Sequence, residues 1–341
     1  MMACLWVGVL GLLLRKHWQL GGIRFCTAIA FGMIAMTGLA WLSSLWWGLG
    51  LLTHFRGQYC WILLLCTGVL ALAQRPWAVM CLVSLGINLA IVGALYWPPA
   101  IAVTQPNEPS LRILHLNLDR HNPQADKLLR YLNTQTVDLL SLQEVTPEWV
   151  EKLRAQLPAY RLVALEVQEN SQGSALLLPT TVPEKVKIQS VQTQYFPETS
   201  SRPLLVAQLS LQGKPLTFLS LHVTRPRNRG TVIAQQVELQ AIAEWSQAMQ
   251  AQGQRVIVMG DFNSTPWAQA FCTLTRQGKL VNSQQGYGWQ TTWRAGWPMI
   301  FRIAIDHCLH SQGFTTLNRS IGPALGSDHL PLFVELSLSN P

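Results

Sequence analysis

Three long runs without a charged residue constrain the first hundred residues of this chain more than any other feature. They cover about residues 25–52, 57–74 and 77–97, and no aspartate or glutamate occurs before Glu108. A helix needs roughly 20 mainly apolar residues to cross a bilayer. The core of a soluble protein rarely supplies three such runs without one carboxylate, so the sequence predicts a transmembrane region over residues 1–97.

Residues 1–14 form a shorter apolar segment that is followed, not preceded, by basic residues. A cleavable signal peptide has the opposite order, with its positive charge first. We therefore interpret this segment as an incomplete extra span or as a segment that lies in the membrane interface. Both interpretations leave three firm spans after it.

Basic residues between the runs predict how the chain is oriented. Arg15, Lys16 and Arg24 precede the first run, Arg56 follows it, and Arg75 follows the second run. Cytoplasmic loops carry an excess of lysine and arginine. Four of these basic residues, Arg15, Lys16, Arg24 and Arg75, fall on one side of the predicted spans, and Arg56 falls on the other. This excess places the N-terminal residues and Arg75 in the cytoplasm. The sequence predicts a multi-pass protein of the plasma membrane, with everything after the third span on the extracytoplasmic side.

The remaining chain has a different charge balance. The whole sequence has 25 basic and 17 acidic residues and a formal charge of +8. Twenty of the basic and all of the acidic residues follow residue 100, which gives that part a charge of only +3. Such a charge suits an anionic ligand but does not require nucleic acid. The only cysteines in this part, Cys272 and Cys308, lack the spacing of a zinc site.

Residues 98–110 begin with two prolines and predict an extended linker. Residues 111–338 then alternate between strand-length apolar runs and helical patterns. We expect helices at 124–132 and 230–251, and strands at 111–117, 137–142, 174–178, 186–191, 204–211, 216–221, 255–260, 303–309 and 330–338. This alternation predicts a layered α/β or α+β domain.

Polar side chains interrupt or follow these strands at five places. The residues are Asn117, Glu144, His222, Asp261 with Asn263, and Asp306 with the segment Ser327-Asp328-His329. A buried carboxylate is costly without a partner. Several carboxylates at one rim of a sheet repel each other unless a cation neutralises them, and oxygen ligands favour Mg²⁺ or Mn²⁺ over zinc.

The motifs around these residues occur in one characteristic order. After Asn117 come Leu-Gln-Glu ending at Glu144, Ser-Leu-His ending at His222, Gly260-Asp261-Phe262-Asn263, Ile305-Asp306-His307 and Gly326-Ser327-Asp328-His329. Together they resemble the endonuclease/exonuclease/phosphatase superfamily of deoxyribonuclease-like, metal-dependent phosphoesterases over about residues 111–338. The resemblance implies a four-layer α/β sandwich of the α+β type, with two packed central β-sheets and helices outside. The N-terminal spans resemble the membrane-anchored bacterial branch of that superfamily.

The resemblance also implies a metal site. Glu144 is expected to be the principal ligand of Mg²⁺ or Mn²⁺, with Asn117 beside it holding the metal or a phosphate through its amide, and with a contribution from Asp328. Two of these residues also have purely structural interpretations, since Asn117 could cap the following turn and Glu144 could be a solvated carboxylate at a helix start.

Five further residues are expected to carry the chemistry. Asp261 is expected to orient or deprotonate the attacking water, and Asn263 to hold a phosphoryl oxygen. His329 is expected to bind the phosphate or act as acid or base, with Asp306 fixing its tautomer. His222 is expected to donate to a phosphoryl oxygen or to the leaving group.

Other polar and aromatic residues carry weaker signals. Arg202, Arg225 and Arg227 flank His222 and are candidates for binding substrate phosphate, although loop arginines are more often solvated. The remaining histidines of this region are expected to be structural: His115, His121, His307 and His310. Tyr287, Trp289, Trp293 and Trp297 are expected either to wall the substrate groove, to lie toward lipid headgroups, or simply to pack in a loop.

These observations favour a membrane-anchored phosphoesterase that cleaves a phosphoester or diphosphate of a phosphorylated substrate, and the membrane anchor suggests a lipid-linked one. An extracytoplasmic nuclease is the alternative among enzymes. It is less favoured because the charge of +3 is small and no counterpart of the superfamily's mid-chain nuclease tyrosine is evident. A catalytically inactive membrane module that binds phosphate ligands is a further alternative. The complete set of candidate ligands argues against it.

Overall fold

The computed structural model describes residues 2–98, 108–180 and 185–338. The chain divides between Gly93 and Ala94 into two compact units, a helical unit and a sandwich unit. Most of the predicted linker lies outside the described residues.

The helical unit contains three helices that are long and apolar enough to cross a membrane, with windows Leu20–Leu42, Trp47–Leu72 and Trp77–Tyr96. Its α-helices are α1 (Met2–Leu39), α2 (Trp47–Leu51), α3 (Arg56–Leu72) and α4 (Trp77–Gly93). Short 3₁₀ turns at Ala40–Leu42 and Leu52–Phe55 extend α1 and join α2 to α3. Tyr59, Leu63 and Cys66 of α3 pack against Ala30 of α1 and Cys81 of α4.

The first two apolar windows differ in their bounds from the first two charge-free runs of the sequence. α1 continues past Arg24, and a turn at residues 43–46 breaks the run that was predicted as one span over 25–52. Serine at positions 43 and 44 favours such a turn because its hydroxyl competes for backbone hydrogen bonds. Arg56, expected in an outer loop, instead lies inside the second apolar window.

Arg56 is 4% exposed and belongs to a buried polar cluster that joins all three long helices. Its guanidinium donates to the Thr37 carbonyl at 3.3 Å and to Asn88 Oδ1 at 3.1 Å. The Asn88 amide in turn donates to Thr37 Oγ1 at 2.9 Å. These hydrogen bonds partly compensate a charge that has no carboxylate near it in the sequence, since the first acid is Glu108.

The described residues of the sandwich unit form twelve strands in two mixed sheets. In chain order the strands are β1 (Ser110–Asn117), β2 (Leu139–Gln143), β3 (Tyr160–Glu166), β4 (Ser174–Pro179), β5 (Val186–Tyr195), β6 (Pro203–Leu211), β7 (Lys214–His222), β8 (Val256–Asp261), β9 (Val281–Asn282), β10 (Asp306–His310), β11 (Phe314–Ile321) and β12 (Leu332–Leu338). The first sheet has the order β11-β12-β1-β2-β4-β3, and the second has the order β5-β6-β7-β8-β10-β9.

The two sheets pack face to face, and helices cover their outer faces. The helices are α5 (Ala125–Thr134), α6 (Pro147–Gln156), α7 (Arg229–Ala251) and α8 (Gln269–Gln277). Ile113 of β1 faces the core between the sheets, whereas its neighbour Leu114 faces the core under α5 and α6. Neighbouring strand residues point to opposite faces, so strands buried on both faces are continuously apolar. The predicted four-layer arrangement is confirmed.

Each sheet contains one pair of parallel strands, and these pairs determine where polar side chains meet. β1 runs parallel to β2, and β7 runs parallel to β8. β10 runs antiparallel to β8, which places Asp306 opposite Asp261. The carboxyl ends of four strands and the start of a fifth therefore lie at one end of the sandwich.

Candidate active site

The strand ends bring the candidate residues together from both sheets. Asn117 ends β1, and Glu144 follows β2. In the second sheet His222 ends β7 and pairs with Asp261 at the end of β8. Glu144 has a positive φ of 60°, so the chain turns sharply after β2.

A buried glutamine connects the two sheets beneath these residues. Gln143 Oε1 accepts from the backbone N–H of Asp261 at 3.1 Å, and its amide nitrogen donates to the carbonyl of Leu221. A side chain at Gly260 would overlap both the Leu221 carbonyl and this amide. Glycine is therefore required before Asp261, because the two sheets approach each other closely there.

Asp306 and His329 form a buried pair. His329 Nδ1 lies 2.9 Å from Asp306 Oδ2, and both residues are less than 5% exposed. The loop that carries His329 is fixed by Ser327. The Ser327 hydroxyl donates to the Asn117 carbonyl at 2.7 Å and accepts from the His329 N–H at 3.0 Å.

A third side chain, His115 of β1, contacts the same carboxylate. His115 Nε2 lies 3.2 Å from Asp306 Oδ1, and His115 Nδ1 lies 3.2 Å from the Ser141 carbonyl. His115 was expected to be structural, and the structure places it in direct contact with a candidate site residue. A histidine two residues before Asn117 on a strand, and so on the same face, was the available signal.

Asp261 lies between two histidines at the base of the site. Its Oδ2 is 3.4 Å from His222 Nε2 and 3.7 Å from His329 Nε2. Its Oδ1 accepts from the Asn263 N–H at 2.8 Å. The Asn263 side-chain nitrogen donates to the Val223 carbonyl at 3.1 Å, so the amide oxygen is its remaining polar atom.

Burial and neighbouring charges raise the pKa of some of these groups and lower the pKa of others. Burial is the largest influence on Asp261 and, despite the charge of His329, raises its pKa to about 7. Burial alone would lower the pKa of His329, but the charges of Asp306 and Asp261 outweigh it and raise that pKa to about 10. The pKa of Asp306 lies below its ordinary value, because the charge of His329 and hydrogen bonds from both histidines outweigh burial. Burial, Arg202 and His329 lower the pKa of His222 to about 3. His329 is therefore a cation beside a neutral His222.

Glu144 lies in a separate network of hydrogen bonds. Its Oε1 accepts from Asn117 Nδ2 at 3.1 Å, and its Oε2 accepts from the Arg120 N–H at 3.2 Å. Asn117 Oδ1 accepts from the Asp119 N–H at 3.0 Å. Asn117 thus presents nitrogen, not oxygen, to Glu144, which makes it an orienting group for that carboxylate in this arrangement.

Asp328 lies at the rim of the site. Its side chain is 49% exposed, and Oδ1 is 3.8 Å from His329 Nε2. Its Oδ2 accepts from the indole nitrogen of Trp293 at 2.9 Å. Trp293 is thus a wall of the site, as one of the expectations for the tryptophans had it.

The three candidate arginines differ in their surroundings. Arg202 donates to Thr224 Oγ1 at 2.9 Å and lies 3.9 Å from Glu238, so neighbouring side chains hold its guanidinium. The Arg225 guanidinium lies over the Trp293 ring, 4.7 Å from its centroid. Burial and the nearby Arg227 lower the pKa of Arg225. Arg225 and Arg227 are exposed side chains that line the same cleft, and two neighbouring cations are a favourable environment for an anion.

Most of the predicted residues line one cleft of about 430 Å³. They are Glu144, Arg202, His222, Arg225, Arg227, Asp261, Asn263, Asp328 and His329. Asn117 and Asp306 lie behind this lining and contact Glu144 and His329 from the interior. Asp119, Arg120 and His121 also line the cleft and were not predicted as site residues, and Trp293 lines it as well.

The donor set of the cleft fits a divalent cation that prefers oxygen. Carboxylates line it at Glu144, Asp261 and Asp328, and no cysteine is among its described lining residues. Donor atoms of Asp261, Asp306 and His329 also lie within 4.8 Å of one another. The oxygens of Asp306 already contact two histidines, however, so Glu144 is the better position for the cation.

Comparisons with known proteins agree with this geometry. A family model described as Endonuclease/Exonuclease/phosphatase family matches residues 114–329. An endonuclease/exonuclease/phosphatase structure from Bacteroides vulgatus is 19% identical, with a TM-score of 0.55, and covers 67% of this chain and 99% of that chain. D. rerio TDP2, complexed with single strand DNA product, is 20% identical with a TM-score of 0.53 over 67% of this chain and 99% of that chain. A mannosyl-6-phosphatase from Bacteroides thetaiotaomicron VPI-5482 is 16% identical with a TM-score of 0.53 over 67% and 100%. No curated protein matches the sequence. These structures establish the fold.

Proposed function

Because the chain belongs to the endonuclease/exonuclease/phosphatase family, we propose that it is a membrane-anchored phosphoesterase that acts on a lipid-linked phosphoester or diphosphate. Enzymes of this family are metal-dependent phosphoester hydrolases, and the chain is a hydrolase of that class. The observation that carries the proposal is the position of Asp261 between His222 and His329, within one cleft with Glu144.

Asp261 is the group proposed to activate water. Its Oδ2 is directed toward the two histidines, and its other oxygen is held by the Asn263 N–H. As a water oxygen attacks phosphorus, Asp261 Oδ2 accepts the proton that the water loses. The amide oxygen of Asn263 accepts from the water, and the Nε2–H of neutral His222 donates to a phosphoryl oxygen. Together they position the water for attack in line with the leaving group.

His329 is the group proposed to protonate the leaving group. Asp306 holds its Nδ1–H, and its Nε2 is 3.7 Å from Asp261 and 3.8 Å from Asp328, beyond hydrogen-bond distance. The proton on Nε2 is therefore available to the oxygen released when the P–O bond breaks. Arg225 and Arg227 are proposed to bind the remaining phosphoryl oxygens from the rim.

Glu144 is the proposed principal ligand of Mg²⁺ or Mn²⁺, with Asn117 orienting its carboxylate and Asp328 facing the same cleft. The bound cation would neutralise charge that develops on the phosphoryl oxygens. The two proton transfers and the contacts to the phosphoryl oxygens are assigned to the side chains named above.

The membrane spans support a lipid-linked substrate. An enzyme with three helices able to cross a bilayer is concentrated at a lipid surface, so a phosphoester in that surface is encountered at high effective concentration. We further propose that the sandwich unit is extracytoplasmic. With the three apolar windows taken as spans, Arg15, Lys16 and Arg75 fall on the same side, which supports a cytoplasmic position for them. Arg24 and Arg56 both lie within apolar windows and count for neither side.

One comparison of substrates tests the proposal. The full chain, reconstituted in nanodiscs with Mg²⁺ or Mn²⁺, is offered a polyprenyl diphosphate, sphingomyelin, a water-soluble phosphomonoester and single-stranded DNA, and the products are quantified. Turnover of one of the lipid substrates is expected, and an Asp261→Asn chain should lack it. Turnover of DNA alone would establish the nuclease alternative. No turnover of any phosphoester would favour the inactive binding module.

A further inference from the structure

Beside the cleft, residues 297–301 form an exposed apolar turn. Trp297, Met299, Ile300 and Phe301 are 47%, 53%, 39% and 55% exposed, and no polar side chain interrupts the sequence from Trp297 to Phe301. Among the described residues between 108 and 338, the other exposed large hydrophobic side chains are single residues or one pair: Tyr195, Leu317, and Ile233 with Val237 one turn later on α7. Scattered apolar side chains are ordinary on a surface, whereas a contiguous group marks an interaction site.

The turn has a defined backbone. It belongs to a loop closed by Trp293 and Ile303, whose backbone N–H groups and carbonyls bond each other at 3.0 and 2.7 Å. The Trp297 N–H donates to the Arg294 carbonyl at 3.0 Å, and the Phe301 N–H donates to the Pro298 carbonyl at 2.9 Å. The apolar side chains are therefore held outward by hydrogen-bonded turns.

Arginines flank the turn on both sides. The Arg294 guanidinium lies 5.0 Å from the ring centroid of Trp297, and Arg302 donates to the Trp297 carbonyl. From Arg294 to Asp306 the sequence has no acidic residue before Asp306 itself, which is fully buried. Tryptophan and phenylalanine next to arginine suit the boundary between lipid chains and anionic headgroups.

The same loop forms part of the cleft. Trp293 closes the loop and lines the cleft, where it bonds Asp328 and carries Arg225 on its ring. Ala295 also donates to the Asp328 carbonyl at 2.8 Å. A partner that covers the apolar turn would thus lie next to the mouth of the cleft.

We propose that the apolar turn, residues 297–301, inserts into the headgroup region of a lipid bilayer and places the mouth of the cleft at the level of lipid phosphates. A bilayer is the chosen occupant because the chain carries three helices able to span one, and because the two charged residues that flank the turn in the sequence, Arg294 and Arg302, are both basic. The insertion itself is independent of the proposed catalytic function. The choice of substrate that follows from it rests on that function.

Photolabelling of the full chain tests insertion directly. The protein is reconstituted in nanodiscs of phosphatidylcholine and phosphatidylglycerol that contain a phospholipid with a diazirine near its headgroup. After irradiation and trypsin digestion, lipid adducts are mapped by mass spectrometry. Cleavage after Arg294 and Arg302 releases the turn as peptide 295–302. The adjoining peptide, 303–319, contains Leu317, which is 44% exposed and serves as the internal control.

We expect peptide 295–302 to carry several-fold more lipid adduct than peptide 303–319. Equal labelling of the two peptides would overturn the proposal. Protection of peptide 295–302 together with chemical cross-links between two copies of the chain would also overturn it, because a protein would then cover the turn. The labelling result does not depend on turnover, so it stands or fails separately from the catalytic proposal.

Matched variants test the consequence for the substrate. The double variant Trp297→Ser with Phe301→Ser should lower turnover of a phosphoester in vesicles by tenfold or more and leave turnover of a water-soluble phosphoester unchanged. Leu317→Ser should change neither. An equal loss on both substrates would contradict a role of the turn in reaching the bilayer.

Discussion

His115 Nε2 lies 3.2 Å from Asp306 Oδ1, while His329 Nδ1 lies 2.9 Å from Oδ2 of the same carboxylate. The buried carboxylate of Asp306 therefore orients His329, which faces the cleft. The same carboxylate is oriented by His115, which belongs to the other sheet. Both ring nitrogens of His115 lie near oxygen atoms, Nε2 near Asp306 Oδ1 and Nδ1 near the Ser141 carbonyl.

The first prediction follows from this contact. His115→Ala should lower kcat by roughly 10-fold or more, as loss of an outer orienting partner commonly does. KM should change little, because His115 is not part of the cleft lining. His115→Gln, which can still donate toward Asp306, should recover part of the loss. Steady-state kinetics and thermal unfolding separate the roles: a lower Tm with unchanged kcat in both variants would show that His115 only supports the fold.

Asp261→Asn is expected to remove the chemistry and retain the fold. The substitution preserves volume but removes the negative charge that accepts the proton of water, so kcat should fall by about 100-fold or more. His329→Ala should be similarly severe. Thermal unfolding of the Asp261→Asn chain should change little.

His307 provides the contrasting variant. It follows Asp306 directly but faces the opposite side of β10, where Nε2 contacts the Ser264 carbonyl at 2.9 Å and the ring packs between Phe262 and Phe271. His307→Ala should therefore lower Tm and leave kcat of the folded protein intact. The reverse pattern, with His307→Ala inactive and Asp261→Asn active, would refute the assignment of the motifs.

Removal of metal should abolish turnover. EDTA is expected to stop hydrolysis, and Mg²⁺ or Mn²⁺ should restore it. Asn117→Ala should raise the metal concentration that gives half-maximal activity by roughly 10–100-fold, because the Glu144 carboxylate loses the amide that orients it. Full activity in EDTA would exclude the proposed metal site.

The proposed orientation predicts the behaviour of fusions after Pro341. Alkaline phosphatase fused there should be active in cells, and a fluorescent protein that matures only in the cytoplasm should be dark. The opposite pair of results would place the sandwich unit, and with it the substrate, in the cytoplasm.

His310 should make the protein less stable in acid. It is buried against Ser311 and Thr316, and burial lowers its pKa to about 4, against about 6.5 in an unfolded chain. Between these values the unfolded chain binds the extra proton, so the contribution to stability is complete above pH 6.5 and decreases as the pH falls toward 4. At pH 5 the loss is on the order of 2 kcal/mol. His310→Gln should lose less Tm than the wild type between pH 7.5 and pH 5 in detergent solution, and an identical loss would show that other groups set the acid limit.

Much of the sandwich was predictable because its central strands are buried on both faces. β8 is apolar until Gly260, so the polar pair Asp261 and Asn263 marked the end of a strand. The same reasoning identified Glu144 after β2 and His222 at the end of β7. Parallel neighbours then bring such ends to one side of a sheet.

The two edge strands of the first sheet were harder to predict. β3 and β11 are edge strands with mixed burial, and neither was predicted, because one-sided contact leaves no regular apolar pattern. Long-range contacts were also not visible: His115 and Asp306 are separated by 191 residues, and nothing local in the sequence links them. Arg56 was misplaced because a charge usually marks the end of a span, whereas here Asn88 and Thr37 retain it inside the helical unit.

The pairing of β1 with β12 bears on how the sandwich unit folds. β1 lies between β2 and β12, so the first strand of this unit lacks one neighbour until the last strand has been synthesised. The second sheet, from Val186 to His310, lies entirely within that interval of the chain. Such a topology has a high contact order and folds slowly, since long loops close before the pairing stabilises them. His329, which precedes β12, joins Asp306 only when this closure is complete, so hydrolytic activity should appear last during refolding.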